Sequence, residues 1–201
     1  MSELNIRCSG IVLAGGKSSR MGFDKAAAPF GASTLLDHVI TLVRQVVDEV
    51  VVVAASSESF PSCSARVLAD LYPGEGPLGG IITALRQAAP GPHLVVACDM
   101  PFVAPALLQY MLAASEDFDA VVPQSAGKLQ PLCAVYNRTA LNPLCRCFSQ
   151  GGRSVLAALE TLNVRVLPDQ VMVDIGVYEG SFVNLNTPEE YARNHMEPHA
   201  S

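Results

Sequence analysis

Leu13-Ala14-Gly15-Gly16-Lys17-Ser18-Ser19-Arg20-Met21-Gly22-Phe23-Asp24-Lys25 follows an apolar run, Ile6 to Leu13, that reads as a buried strand near the N-terminus. Gly15 and Gly16 allow a tight turn and let main chain approach a ligand with no Cβ in the way. Lys17, Arg20 and Lys25 then stand against a single acid, Asp24. A glycine loop that leaves a strand and carries cations suits a polyphosphate, because exposed amides and fixed positive charge both stabilise it. The plainer reading is a strand-ending turn with solvated lysines, and this stretch alone leaves that open.

Two familiar phosphate motifs are excluded. A P-loop needs a glycine five residues before the glycine of Gly16-Lys17-Ser18, and position 11 is Ile, with Gly10 one residue off. Three spaced glycines of the dinucleotide-binding kind are also missing. The loop needs another explanation.

Composition narrows the classes. The 201 residues are half hydrophobic, which suffices for one well-filled core and makes 1–201 a single expected domain. No apolar run approaches the roughly 20 residues that span a bilayer, and Met1 to Arg7 lacks the basic and long apolar segments of a secretory signal. The six cysteines form no Cys-x-x-Cys pair, so reduced thiols in a cytoplasmic protein are expected. Cys145-x-Cys147 lacks the second ligand pair of a structural metal site. A net charge of −6 argues against general nucleic-acid binding, so an anion must be held by local cations.

Strand and helix patterns then alternate. Ser33 or Thr34 can cap a helix whose apolar positions are Leu35, Leu36, Val39, Ile40 and Val43. Val50 to Ala54 reads as an interior strand, and Arg66 to Asp70 as a shorter one. A Gly/Pro segment from Pro73 to Gly80 leads into a helix at 80–89, and His93 to Ala97 is the next buried strand. Helices are expected at 105–114, 138–148 and 153–162. Strands are expected at 120–122 and 132–136, joined by a polar turn at Gln124 to Lys128, with edge strands at 164–167 and Ser181 to Val183. Asn186-Thr187-Pro188-Glu189-Glu190 carries the signals of a last short helix. This order predicts a three-layer α/β domain with a mostly parallel sheet and ligands at the strands' carboxyl ends.

That topology selects among the acids. Asp99 follows a fully apolar strand and precedes Pro101, where it is placed to hold Mg²⁺ between phosphates or to cap the following helix. Asp70 is either a nucleotide contact or an ordinary turn acid. Both readings stay open on sequence alone.

Taken together, Leu13-Ala-Gly-Gly-x-Ser-x-Arg20-Met21-Gly22-x-Asp24-Lys25, Gly76-Pro77-Leu78-x-Gly80, Cys98-Asp99-x-Pro101 and Asn184-x-Asn186-Thr187-Pro188-Glu189 resemble the molybdenum cofactor guanylyltransferases. These are the MobA-like branch of the nucleotidyltransferases, with a Rossmann-like, GT-A-like fold. The resemblance implies a mixed, mostly parallel sheet and transfer of GMP from GTP to molybdopterin carrying molybdenum, with release of pyrophosphate. It places Leu13, Ala14, Gly15 and Gly16 against the guanine nucleotide, Arg20 and Lys25 on its phosphates, Asp70 on the nucleotide, and Mg²⁺ on Asp99. Gln130, Pro131, Arg153, Asn184 and Asn186 fall on the pterin side. Arg20, Lys25 and Asp99 become the candidate catalytic set. Implied partners are GTP and molybdopterin, with transient contacts to molybdoenzymes or their chaperones, and neither nucleic acid nor membrane.

Gly15-Gly16 leans towards guanine, since related cytidylyltransferases usually carry Leu-Ala-Ala-Gly. One departure stands out: many relatives have an Asn near Val53 to Ala55, where this chain has only Val and Ala, leaving Ser56 or Ser57 to replace it. The alternatives are a molybdopterin cytidylyltransferase, another small nucleotidyltransferase, and a non-catalytic nucleotide-binding paralogue.

Overall fold

A computed structural model of the chain describes residues 8–15, 25–177 and 179–185. Its first strand, β1 (Ser9–Leu13), is buried along its whole length and lies between two parallel neighbours, β4 (Glu49–Ala54) and β6 (His93–Ala97). Such a strand must be apolar on both faces, which is why these three segments lack alternation. The hairpin β2 (Pro29–Phe30) and β3 (Ser33–Thr34), turning through Gly31, forms a separate small ribbon not foreseen in the sequence. Strand β5 (Arg66–Ala69) closes one side of the main sheet.

Beyond β6 the sheet continues with β7 (Ala120–Ser125), β8 (Lys128–Leu129), β9 (Cys133–Tyr136) and β10 (Val164–Leu167). The order is β10-β7-β9-β6-β1-β4-β5, with β8 paired to β7 as a hairpin. Only β9, antiparallel to β6 and β7, departs from parallel pairing along that path. The mixed, mostly parallel sheet expected from sequence is therefore present.

Helices cover both faces. On one side lie α1 (Leu35–Val43), α3 (Pro105–Ala113) and α6 (Asp169–Asp174), packed with Val12, Val52 and Val96. On the other lie α2 (Pro77–Gln87), α4 (Leu141–Ser149) and α5 (Val155–Leu159), packed with Ile11, Val53 and Val95. Successive strand residues thus feed opposite cores, as the pleat requires. Among the described residues no helix is long and apolar enough to cross a membrane.

Of the two expected caps of α1, Thr34 serves, accepting from the Asp37 amide. Several boundaries differ from expectation. Helix α2 begins at Pro77, before the expected residue 80, because proline has the required φ and no amide to leave unpaired. Helix α5 is shorter than 153–162: Ser154 sets its start by accepting from the Ala157 amide, and after Leu159 the chain continues in turns through Thr161 and Leu162. The strand expected at Ser181 to Val183 is absent: Glu179–Phe182 is a 3-10 turn. Residues 6 and 7 of the first expected strand, and the short helix expected from Asn186, lie outside the described residues.

Candidate active site

The register of the sheet assembles the site. Leu13 pairs with Val53 on one side and Ala97 on the other, so the chain leaves β1, β4 and β6 at one level. Backbone bonds continue past the strand ends: Ala14 N–H donates to Val53 O, Cys98 N–H to Leu13 O and Asp70 N–H to Ala54 O. Ala14-Gly15, Ala55, Asp70 and Cys98-Asp99 therefore emerge along one rim.

A cavity of about 400 Å³ opens between these exits. Leu13, Gly15, Val53, Ala55 and Asp70 form part of its wall, and the Pro73–Pro77 turn and Gly80 complete it. Its walls are mainly apolar, with main chain exposed at the glycines, which suits a flat heterocycle with polar edges. Glycine at 80 serves close packing, because a Cβ there would come within 3.2 Å of Leu13 Cδ2. Val53 and Ala55 line the cavity where the expected Asn is missing. Ser56 is not part of the cavity wall, and its hydroxyl accepts from the Glu58 amide within its own turn.

Asp70 is held from the helix behind it. Its Oδ1 accepts from Thr83 Oγ1 at 2.7 Å and from the Tyr72 amide at 3.0 Å, while Thr83 Oγ1 accepts from the Leu71 amide. Thr83 is fully buried and was not singled out in the sequence, where it is one polar residue inside an otherwise apolar helix pattern. The Pro73–Gly76 wall was visible only as a turn.

The second half of the rim carries charge. Lys25 opens a 3-10 turn, Lys25–Ala27, and its Nζ stands 3.8 Å from Asp99 Oδ2. Burial pushes the Asp99 carboxyl above its ordinary range, and the opposing pull of Lys25 does not offset it. Asp99 does not cap the following helix, because α3 has Ala104 at its N-cap. The Leu185 amide donates to Asp99 O at 2.9 Å, which brings exposed Asn184 alongside. Gln130 also reaches this side: Leu132 O accepts from the Ala97 amide, so the segment before β9 borders the end of β6.

Arg153 sits elsewhere on the rim. Its Nε donates to Glu75 Oε2 at 2.5 Å, and its partners otherwise are Phe148 and Gly152. Gly16, Arg20 and Asn186 lie outside the described residues. No cluster of three or more His, Cys, Asp or Glu side chains is found among the described residues. The described residues thus set an apolar cavity and the Lys25–Asp99 pair along one edge of the sheet.

Comparison with known proteins shows the family. A curated relative from Pelotomaculum thermopropionicum, described as a probable molybdenum cofactor guanylyltransferase, is 34% identical over 188 residues, covering 94% of this chain and 92% of the relative. A relative from Chloroflexus aggregans with the same description is 36% identical over 193 residues, covering 93% of each. The crystal structure of molybdopterin-guanine dinucleotide biosynthesis protein A from Archaeoglobus fulgidus superposes with a TM-score of 0.80 at 30% identity, covering 93% of this chain and 96% of that one. The family described as the MobA-like NTP transferase domain matches residues 10–164, and the chain belongs to that family.

Proposed function

We propose that this protein transfers GMP from GTP to the terminal phosphate of molybdopterin carrying molybdenum, forming molybdopterin guanine dinucleotide and pyrophosphate. The observation that carries the reading is the shared rim. A cavity of nucleotide-base size opens at the sheet edge from which Asp99 also emerges, with Lys25 Nζ 3.8 Å from its carboxylate, in a fold whose relatives are described as guanylyltransferases.

In this reading the base lies between Leu13, Gly15 and the Pro73–Pro77 turn, with Asp70 at the cavity wall. Gly16 continues the base-contacting loop on sequence grounds. Lys25 lies on the phosphates, and Arg20 joins it by sequence. The acceptor approaches from the side of Gln130 and Asn184, and Asn186 joins them by sequence. An oxygen of its terminal phosphate attacks the α-phosphorus of GTP; the new P–O bond forms as the bond to the bridging oxygen breaks and pyrophosphate leaves. The attacking phosphate is already anionic, so no general base is needed. The protein's part is to hold two anions together and to neutralise charge on the leaving group.

Asp99 fits a divalent cation of the Mg²⁺ kind. A single hard-oxygen carboxylate at a strand end suits an ion that keeps waters and takes its remaining ligands from substrate phosphates. Such an ion, when bound, would screen repulsion between the phosphates. Lys25 and Asp99 then lie on opposite charges of one assembly, and the apolar cavity wall excludes water from the base.

The test is pyrophosphate release by purified protein given molybdenum-loaded molybdopterin, Mg²⁺, and GTP, CTP or ATP in turn, with the dinucleotide product identified by mass. GTP should be preferred. Equal or better turnover with CTP would overturn the guanylyl reading and leave the fold untouched.

A further inference from the structure

We infer that Arg153 is a positioning residue for the nucleotide: through Glu75 it latches the Gly74–Gly76 turn that walls the cavity. The inference rests on the nucleotide reading of that cavity. It assigns Arg153 a task on that side of the site.

The turn needs an external fastening. Gly74 and Gly76 have φ of +83° and +88°, both line the cavity, and Glu75 stands between them. Glycines at such angles keep many alternatives open, so their sequence does not hold the wall in one shape. Inside the turn, the Glu75 amide donates to Tyr72 O at 3.1 Å and the Gly79 amide to Gly76 O at 3.1 Å. From outside, Arg153 Nε takes the Glu75 carboxylate at 2.5 Å.

This ion pair differs from an ordinary surface pair because the guanidinium is oriented before it meets the acid. Arg153 Nη1 donates to Phe148 O at 3.0 Å and Gly152 O at 2.9 Å, and its Cζ lies 4.0 Å from the Phe148 ring centroid. The Phe148 ring in turn packs on Tyr72, with centroids 4.6 Å apart. The cavity turn is therefore gripped at residues 72 and 75 by the corner between α4 and α5. That corner requires Gly152, where a Cβ would come within 2.5 Å of Cys147 Sγ. A planar fork fixed by two carbonyls and a ring loses little freedom on binding its carboxylate, which lysine could not reproduce.

The experiment uses the full chain and the variants Arg153→Ala, Arg153→Lys, Glu75→Gln and the double variant Arg153→Ala with Glu75→Gln. GTP affinity is measured by calorimetry with Mg²⁺ and no acceptor. Amide exchange of residues 74–76 is followed in nucleotide-free protein, and KM for the acceptor is measured separately. Each single change should weaken GTP about threefold to tenfold, speed exchange at 74–76, and leave acceptor KM unchanged; the double variant should be no worse than either. Arg153→Lys should recover little. Unchanged exchange with full GTP affinity in Arg153→Ala, additive losses in the double variant, or an effect confined to acceptor KM would each overturn the latch. If the unaltered protein fails to bind GTP, the nucleotide reading falls, and exchange at 74–76 still decides whether Arg153 fastens the turn.

Discussion

Thr83 Oγ1, fully buried in the second turn of α2, donates to Asp70 Oδ1 at 2.7 Å across to the end of β5. The same hydroxyl accepts from the Leu71 amide and the same carboxylate oxygen from the Tyr72 amide. Helix, strand end and cavity wall are thus joined through one pair of oxygens. Thr83→Val keeps the shape and removes the hydroxyl, leaving the Leu71 amide without its acceptor. The expected loss is about 1–3 kcal/mol, seen in urea unfolding as a lower midpoint with unchanged m, together with weaker GTP binding. A variant with the parent's midpoint and affinity would show that Asp70 needs no such support.

Gly10 lies on β1 where α1 packs closest. A Cβ there would come within 2.4 Å of Val43 Cγ1 and 2.9 Å of Val47 Cγ2. Gly10→Ala should therefore separate helix from sheet and destabilise by about 1–3 kcal/mol. Specific activity of the folded fraction should change little. Chemical denaturation checks the first part, and an undiminished midpoint would mean the two valines shift freely.

The parallel core was legible because burial on both faces forces uninterrupted apolar runs, as in Val50 to Ala54 and His93 to Ala97. The rim position of Asp99 followed from the same logic, since an acid right after such a run can only be at a strand end. Less was legible where short range fails. Residues 29–34 form strands of two residues each, too short for alternation to register. Ser181 to Val183 looked like a strand on local preference, yet Glu179–Phe182 is a 3-10 turn. Arg153 meets Glu75 across 78 positions, and Thr83 meets Asp70 across 13, so neither pair leaves a local pattern.

His93 begins β6 and is fully buried. Burial first, and then the positive charge of Arg138, hold its imidazole below the ordinary value. The folded state therefore favours neutral His93, while the unfolded chain takes up a proton near its ordinary pKa of about 6.5. The stability so gained is complete above that value and is lost as pH falls through it towards the depressed folded pKa, with a slope of at most about 1.4 kcal/mol per pH unit. Melting temperature should fall between pH 7.5 and 5, and His93→Leu should flatten that fall. Parallel profiles for the two proteins would assign the acid sensitivity to other groups.

Lys25 has a side chain only 16% exposed, and its Nζ faces Asp99 at 3.8 Å. Lys25→Ala should cut turnover by about 10²-fold, with the fold retained by circular dichroism. Near-parent turnover would make Lys25 a counter-ion for Asp99 alone, without a role on the phosphates.

Asp99 is where structural and chemical roles give opposite signs. Burial raises its folded pKa, so the ionised form is disfavoured in the native state. The stability linked to this group is complete below the ordinary carboxylate value of about 3.9 and is lost as pH rises through the raised folded value. At neutral pH the fold thus carries a cost for keeping this carboxylate, and Asp99→Asn should leave the melting temperature in metal-free buffer unchanged or higher. Because α3 is capped at Ala104, the amide gains nothing as a helix cap. Transfer should respond the other way. Removing one negative charge from a hard-cation site should lower turnover by about 10²–10³-fold at millimolar Mg²⁺, with partial recovery at higher Mg²⁺ or with Mn²⁺. A stable Asp99→Asn protein with full activity at ordinary Mg²⁺ would remove the cation from this residue, and with it the proposed neutralisation of the leaving pyrophosphate.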